Sequence, residues 1–269
     1  MNALIYYDYG IESINGSLTN IIEYFLCIYE HNKDFKLLLI NSNKSNKQFY
    51  VNMIKERYIL DDISDFENNI IVISKYKLLY QKFNKVLIHS TGTVKQIRGL
   101  VNAKQIFIIS DYWEEKPEYF FRKDLYNVTY FGEMPFQYKD KQYTFKMLFD
   151  RYKPLPYEED NIYIHSPQNK DRSFIDEIDL PDKPMIFREE GHRPNFFRDY
   201  KIFVYYHANK WFDPSPRLMH ESFFYGKKIL YFNKYNIKDG SMYRYNDLLK
   251  NGLLNRVLTK NDDIVQRLI

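Results

Sequence analysis

The chain has 269 residues, 45% hydrophobic and 28% charged, which excludes wholesale disorder and allows one large domain or two modest ones with cores of their own. Only 9 Gly and 10 Pro exclude a collagen-like or low-complexity chain, and the single cysteine, Cys27, excludes internal disulfides and a cysteine-rich zinc site. Lys and Arg number 39 against 35 acids, a net charge of +4, too mild a balance to assert nucleic-acid binding. The unusual feature is the aromatic load of 26 Tyr and 21 Phe. Abundant Asn, Lys, Ile and Tyr with little Ala or Gly fit the codon bias of an AT-rich genome.

The first half reads as repeated strand–helix units. Ala3–Tyr7 is a short apolar run suited to a buried parallel strand. After the loop from Asp8 to Gly16, Leu18, Ile21, Ile22, Phe25, Leu26 and Tyr29 recur at helical spacing, predicting a helix over Ser17–His31 with Cys27 in its core. Phe35–Ile40 is the next strand and Asn46–Glu56 the next helix. Ile70–Ser74, Lys85–His89 and Gln105–Ser110 are further strands, with a short helix over Thr93–Val101. Val128–Phe131 is a strand and Tyr143–Tyr152 a helix. The opening MNALIYYDYG has no basic leader region, and no apolar run approaches the roughly 18 residues of a membrane span. The expectation is a soluble cytoplasmic protein.

Lys153-Pro154-Leu155-Pro156 punctuates a boundary, followed by the acidic run Glu158 to Asp160. Strands are then expected at Asn161–His165, Pro184–Arg188, Lys201–Tyr206 and Lys228–Phe232. Helices are expected at Ser173–Ile178, Pro216–Phe224 and in the tail from Tyr245. This pattern predicts an α/β protein of two Rossmann-like, doubly wound domains facing a cleft. The first covers residues 1–153 and the second 157–245, with a helical tail, 246–269, packing back on the first. Such sheets bind ligands at the carboxyl ends of their strands.

The most informative text runs from Tyr205 to Phe232. A strand ends at Tyr206, and a polar loop with prolines enters a helix near Pro216, a good first helical residue. The helix stops near Gly226, a natural residue for the left-handed C-terminal cap, and a buried strand follows. Arg217 and Glu221, four residues apart, share one helix face. The helix N-terminus favours a phosphate, Arg217 adds a bidentate anion partner, and Glu221 can accept two hydroxyl hydrogen bonds from a ribose. The bland alternative is a solvated ion pair worth a few tenths of a kcal/mol.

Here the sequence resembles the nucleotide-sugar glycosyltransferases of the GT-B fold. Their C-terminal domain holds the donor through an acid-x7-Glu segment that opens a helix, followed by a small-residue turn and an apolar strand. This chain reads Asp213-x7-Glu221, then Gly226-Lys227-Lys228 and Ile229–Phe232. The resemblance implies that Glu221 binds the donor ribose, that Asp213 lies near the sugar, and that Arg217 lies near the diphosphate with Ser215 in the same loop. Asp213 departs from the commoner Glu. The motif covers about thirty residues; the architecture covers the whole chain. The implied donor is a UDP-sugar. The implied acceptor is a glycan hydroxyl or a modified DNA base, as in a phage-type base glucosyltransferase working in a host cytoplasm.

In the same domain Arg188 and Arg193 can flank a base or diphosphate, and Lys170, in the loop after His165, can meet the donor phosphates. In the first domain Asp8, His89 and Asp111 each stand at the carboxyl end of a strand, where a general base would deprotonate an acceptor hydroxyl. The absence of G-x-G-x-x-G disfavours a dehydrogenase. No Asp-x-Asp and no Cys or His cluster marks a metal site, so no metal or other cofactor is expected. Lys and Arg are spread over the chain, so no cationic track for DNA stands out, and Tyr205–Phe212 with Tyr112-Trp113 are the aromatics placed to stack on a base or sugar. Two alternatives remain: a nucleotide- or sugar-binding two-domain module without turnover, and an interaction protein using exposed aromatics.

Overall fold

The structure, a computed structural model, describes residues 1–8, 16–41, 47–63, 65–89, 91–110, 127–132, 141–142, 148–165, 175–176, 178–187, 196–207, 217–233 and 268–269. The chain divides into two compact units, Met1–Tyr152 with Leu258–Ile269, and Lys153–Val257. Each is a mixed α/β unit around a parallel sheet.

The first unit contains β1 (Asn2–Asp8), α1 (Gly16–His31), β2 (Phe35–Asn41), α2 (Lys47–Arg57), β3 (Ile70–Ile73), β4 (Phe83–His89), α3 (Thr91–Ile97), β5 (Ala103–Ser110), β6 (Asn127–Gly132) and β7 (Lys141–Gln142). The strand order is β3-β2-β1-β4-β5-β6-β7, and every neighbouring pair is parallel. This is the Rossmann order, extended at one edge. Right-handed crossovers account for the layers: β1 to β2 runs one way along the sheet and β4 to β5 the other, so α1 and α3 fall on opposite faces. On the α3 face, Val94 and Ile97 pack with Ala3, Ile5, Ile40, Val86, Ile88 and Ile108. Strands covered on both sides must be apolar along their length, as these are.

The second unit contains β8 (Ile162–His165), β9 (Met185–Phe187), β10 (Ile202–His207), α4 (Arg217–Phe224) and β11 (Lys228–Asn233). The order is β11-β10-β8-β9, all parallel. One face carries Tyr163, Phe203, Tyr205, Tyr231 and Met219 of α4. The other carries Ile162, Ile164, Val204, Tyr206, Leu230 and Phe232.

The expected helix over Tyr143–Tyr152 is corrected at its described end. Phe149–Arg151 is a single 3-10 turn, Arg151 N–H bonding to Leu148 C=O at 2.9 Å. The chain then extends, so that Tyr152 bridges antiparallel to Tyr58. The helix expected to reach Val101 stops at Ile97, where Leu100 N–H turns back to Ile97 C=O at 2.8 Å beside Gly99. β7 and the 3-10 segments Phe66–Asn69 and Lys75–Tyr80 are too short to carry a period in sequence. The expected tail helix lies outside the described residues except for Leu268 and Ile269; the Leu268 carbonyl accepts from Lys85 Nζ at 3.2 Å.

Candidate functional site

In the second unit the strand order reverses between β8 and β10. That reversal is where a parallel sheet opens a crevice beyond its carboxyl ends. His165 ends β8 and pairs in register with Tyr205. Its half-buried ring lies 5.4 Å from that of Tyr205 and 6.1 Å from that of Phe203. The α4 helix follows β10. Arg217 Nε donates to Glu221 Oε1 at 2.8 Å, and both side chains are about 95% buried, at 4% and 5% exposure. The solvated-pair alternative therefore fails: this pair is desolvated.

The end of α4 is built from sequence-local rules. Gly226 has φ +72°. Its N–H bonds to Phe223 C=O at 3.0 Å, and Lys227 N–H bonds to Ser222 C=O at 3.0 Å. These are the two bonds of a Schellman cap, which needs a left-handed residue at Gly226. Ser222 Oγ donates to Leu218 C=O at 2.7 Å and also bonds the Tyr200 hydroxyl at 2.9 Å. Lys227 is buried, donates to Glu158 Oε1 at 2.6 Å, and lies 5.4 Å from the Tyr200 ring. Burial pushes its ammonium below the ordinary lysine range, against the opposing pull of Glu158. Lys183 donates to Asp160 at 2.6 Å, so two acids of the run after the boundary, Glu158 and Asp160, hold lysines of this unit.

In the first unit the order reverses between β1 and β4. Asp8 ends β1 and His89 ends β4. The ladder pairs Ile5 with Ile88; one residue further sets His89 beside Tyr6, on the sheet face that Asp8 also occupies. Asp8 is 2% exposed and His89 fully buried. The Tyr50 hydroxyl of α2 donates to Asp8 Oδ2, and Tyr7 N–H donates to Thr93 Oγ1 at 3.1 Å, tying the start of α3 to this strand end. Two of the three base candidates thus come together at one strand-order reversal.

Asp111, Lys170, Arg188, Arg193, Asp213 and Ser215 lie outside the described residues. Of the aromatics expected to stack on a ligand, Tyr205 and Tyr206 are 1% and 5% exposed. Tyr205 lies parallel to Tyr231 on one face, centroids 5.7 Å apart; Tyr206, the next residue of the strand, faces the other covered side, and Tyr205 and Tyr206 both belong to the core. Residues 208–212 and 112–113 are outside the described set. Sequence reasoning passed over His165 and Tyr50. His165 was recognisable as a strand-end histidine, whereas Tyr50 reads as one more apolar residue of α2.

Among the described residues no three His, Cys, Asp or Glu side chains gather to hold a metal ion, and no helix is long and apolar enough to cross a membrane. No family model, no curated protein and no solved structure matches this chain.

Proposed function

We propose that the chain is a nucleotide-sugar glycosyltransferase of GT-B type. It would move a sugar from a nucleoside-diphosphate donor, in the first instance a UDP-sugar, to an acceptor hydroxyl of a glycan or a modified DNA base, without an obligatory metal. One observation carries the reading: α4 follows β10 beside a strand-order reversal, with Arg217 and Glu221 desolvated on its first two turns. Glu221 accepts ribose hydroxyls, and the Arg217 guanidinium donates to the diphosphate. Leaving-group charge is met by the guanidinium and the helix N-terminus. Asp8 or His89 serves as the base on the acceptor side.

A second reading, nucleotide binding without turnover, is favoured by the burial of Asp8 and His89 and by the Tyr50 bond to Asp8. One experiment addresses both. Saturating UDP should raise the unfolding free energy by about 2.7 kcal/mol at a hundredfold excess over Kd, and Glu221→Gln should abolish that rise. If neither UDP nor any other nucleoside diphosphate stabilises the parent chain, both readings fail. Hydrolysis of a UDP-sugar panel, lost in Asp8→Asn or His89→Gln, identifies a transferase. Stabilisation without hydrolysis or transfer identifies the binding module.

A further inference from the structure

The cations of this chain are spread along it, but the acids are not. Residues 68–110 contain seven Lys and Arg and no Asp or Glu, although the whole chain is only +4. The remainder is therefore net acidic. The structure gives this stretch a place: it runs from the end of the 3-10 turn before β3, at one edge of the first unit's sheet, through the crossover to β4, then α3 and β5.

The crossover carries the second observation. Lys75–Tyr80 is a 3-10 helix, so residues three apart share a row. Leu78 is fully buried in the α3-face core, and Lys75 shares its row. The other two rows, Tyr76 with Leu79 and Lys77 with Tyr80, point away from the sheet. Tyr76 is 63% exposed, Leu79 53% and Tyr80 85%. Lys75 Nζ lies 5.3 Å from the Tyr76 ring. Lys82 follows at the mouth of β4, where the amino terminus donates to its carbonyl at 3.3 Å. The β4–β5 register, Phe83 with Ala103 and Lys85 with Gln105, brings Lys104 to the same amino-terminal edge. Among the described residues Lys75, Lys77, Lys82 and Lys104 make no ion pair, and no acid of their own stretch could supply one. The crossover leaves the carboxyl end of β3, level with Tyr7, and runs to Lys82 at the edge opposite the strand ends that carry Asp8 and His89.

Large, exposed tyrosines interleaved with lysines that lack acidic partners suit one chemistry in particular. Bases of a single strand stack on aromatic faces while lysines neutralise the phosphates between them. A duplex groove requires a helix or ribbon long enough to enter it, and a six-residue 3-10 turn is neither. An anionic bilayer favours a long amphipathic helix rich in Trp, Phe and Leu, where this surface offers two tyrosines and one leucine.

We propose that the Lys75–Lys82 crossover, with Lys104, is a docking surface for single-stranded nucleic acid. The proposal is independent of the transferase reading. The test is fluorescence anisotropy of the full chain with a labelled oligothymidylate of about 15 nucleotides, a length set by known single-strand site sizes. Binding in the micromolar range is expected at low salt, with affinity falling as salt rises by a log–log slope of about 0.7 per phosphate contact. Tyr80→Ala, at a site too exposed to disturb the fold, should weaken binding about 5- to 100-fold. Lys77→Ala with Lys82→Ala should reduce the slope by about 0.7 per lysine. Tyr157→Ala, an exposed tyrosine of the second unit, should bind as the parent does. Absence of binding overturns the proposal. So does binding that Tyr80→Ala and the double lysine variant leave unchanged, and so does binding to phosphatidylserine vesicles without binding to the oligonucleotide.

Discussion

Each unit buries a glutamate, and the two bond across very different lengths of chain. In the first unit Glu23 of α1 is fully buried. Its Oε1 accepts from the Tyr58 hydroxyl at 2.8 Å and the Tyr152 hydroxyl at 2.7 Å, and its Oε2 accepts from Leu148 N–H at 3.0 Å. The Tyr58 and Tyr152 rings meet edge-on at 5.4 Å, and the Arg57 guanidinium lies 5.9 and 5.2 Å from their centroids. In the second unit Glu221 takes its charged partner, Arg217, from one turn earlier on the same helix. Glu23 joins segments up to 129 residues apart; the Arg217–Glu221 bond joins nothing that α4 does not already join. A carboxylate that holds distant chain segments together is architecture. One whose charged partner lies a single turn away, on the same helix and beside strand ends, is the better candidate to turn toward a ligand. That contrast favours Glu221, over the more deeply buried Glu23, as the residue proposed for the donor site.

The largest expected effect tests the architectural half. Glu23→Ala leaves two tyrosine hydroxyls and a backbone N–H buried without their acceptor, and should cost about 4 kcal/mol in urea unfolding. Tyr58→Phe and Tyr152→Phe should each cost about 1 kcal/mol and combine non-additively, since both donate to one oxygen. A Glu23→Ala loss under about 1 kcal/mol would erase the contrast. Glu221→Ala comes next, at about 3 kcal/mol, because it removes the carboxylate paired with a buried guanidinium. The decisive variant is the double substitution Arg217→Met with Glu221→Leu. Two well-packed apolar side chains should restore stability to within about 1 kcal/mol of the parent while the UDP-induced stabilisation stays lost. If the double variant remains as unstable as Glu221→Ala, this pair too is architecture. Gly226→Ala follows in size. A Cβ there meets nothing within 4 Å, so the cost is the left-handed backbone alone, about 1–2 kcal/mol, read as a lower urea midpoint with unchanged slope.

What could be read from the sequence divides along the same line. α4 was legible because its punctuation is local: an apolar strand before it, Pro216 at its entry and Gly226 at its exit, where the left-handed φ confirms the cap. The strands of both units were legible because a doubly covered parallel strand must be continuously apolar. Glu23 was not legible, since its donors come from residues 58, 148 and 152 and nothing beside it in sequence announces them. The Lys227–Glu158 pair, 69 residues apart, was hidden for the same reason. The Leu148–Tyr152 segment was misread as helix because its aromatic and apolar spacing suits one; its β-bridge to Tyr58 and its bond to Glu23 override that local preference.

The smallest effect sharpens the comparison at the outer side of the Glu23 junction. Arg151, one residue before Tyr152, donates from Nη1 and Nη2 to the two carboxylate oxygens of Asp62, each at 2.7 Å, and also pairs with Glu30 of α1. The bidentate bond to Arg151 holds the Asp62 carboxyl at about 2, below its ordinary range. A carboxylate whose folded value is depressed stabilises the fold above its unfolded value near 4, and that contribution is lost as the pH falls through about 2. Asp62 is mostly exposed, with 61% side-chain accessibility, so solvent screening reduces the contribution to about 0.5 kcal/mol or less. Asp62→Asn should therefore lower stability slightly at pH 7 and flatten the difference from the parent between about pH 4 and 2, measured by urea midpoints across that window. High salt should shrink the difference at pH 7 and leave the Glu23→Ala loss nearly intact, because interactions buried in the core are screened far less than those of an exposed pair. If salt weakened both equally, the interior junction would be as open to solvent ions as the exposed Arg151–Asp62 pair, and the distinction between the two glutamates would rest on sequence distance alone.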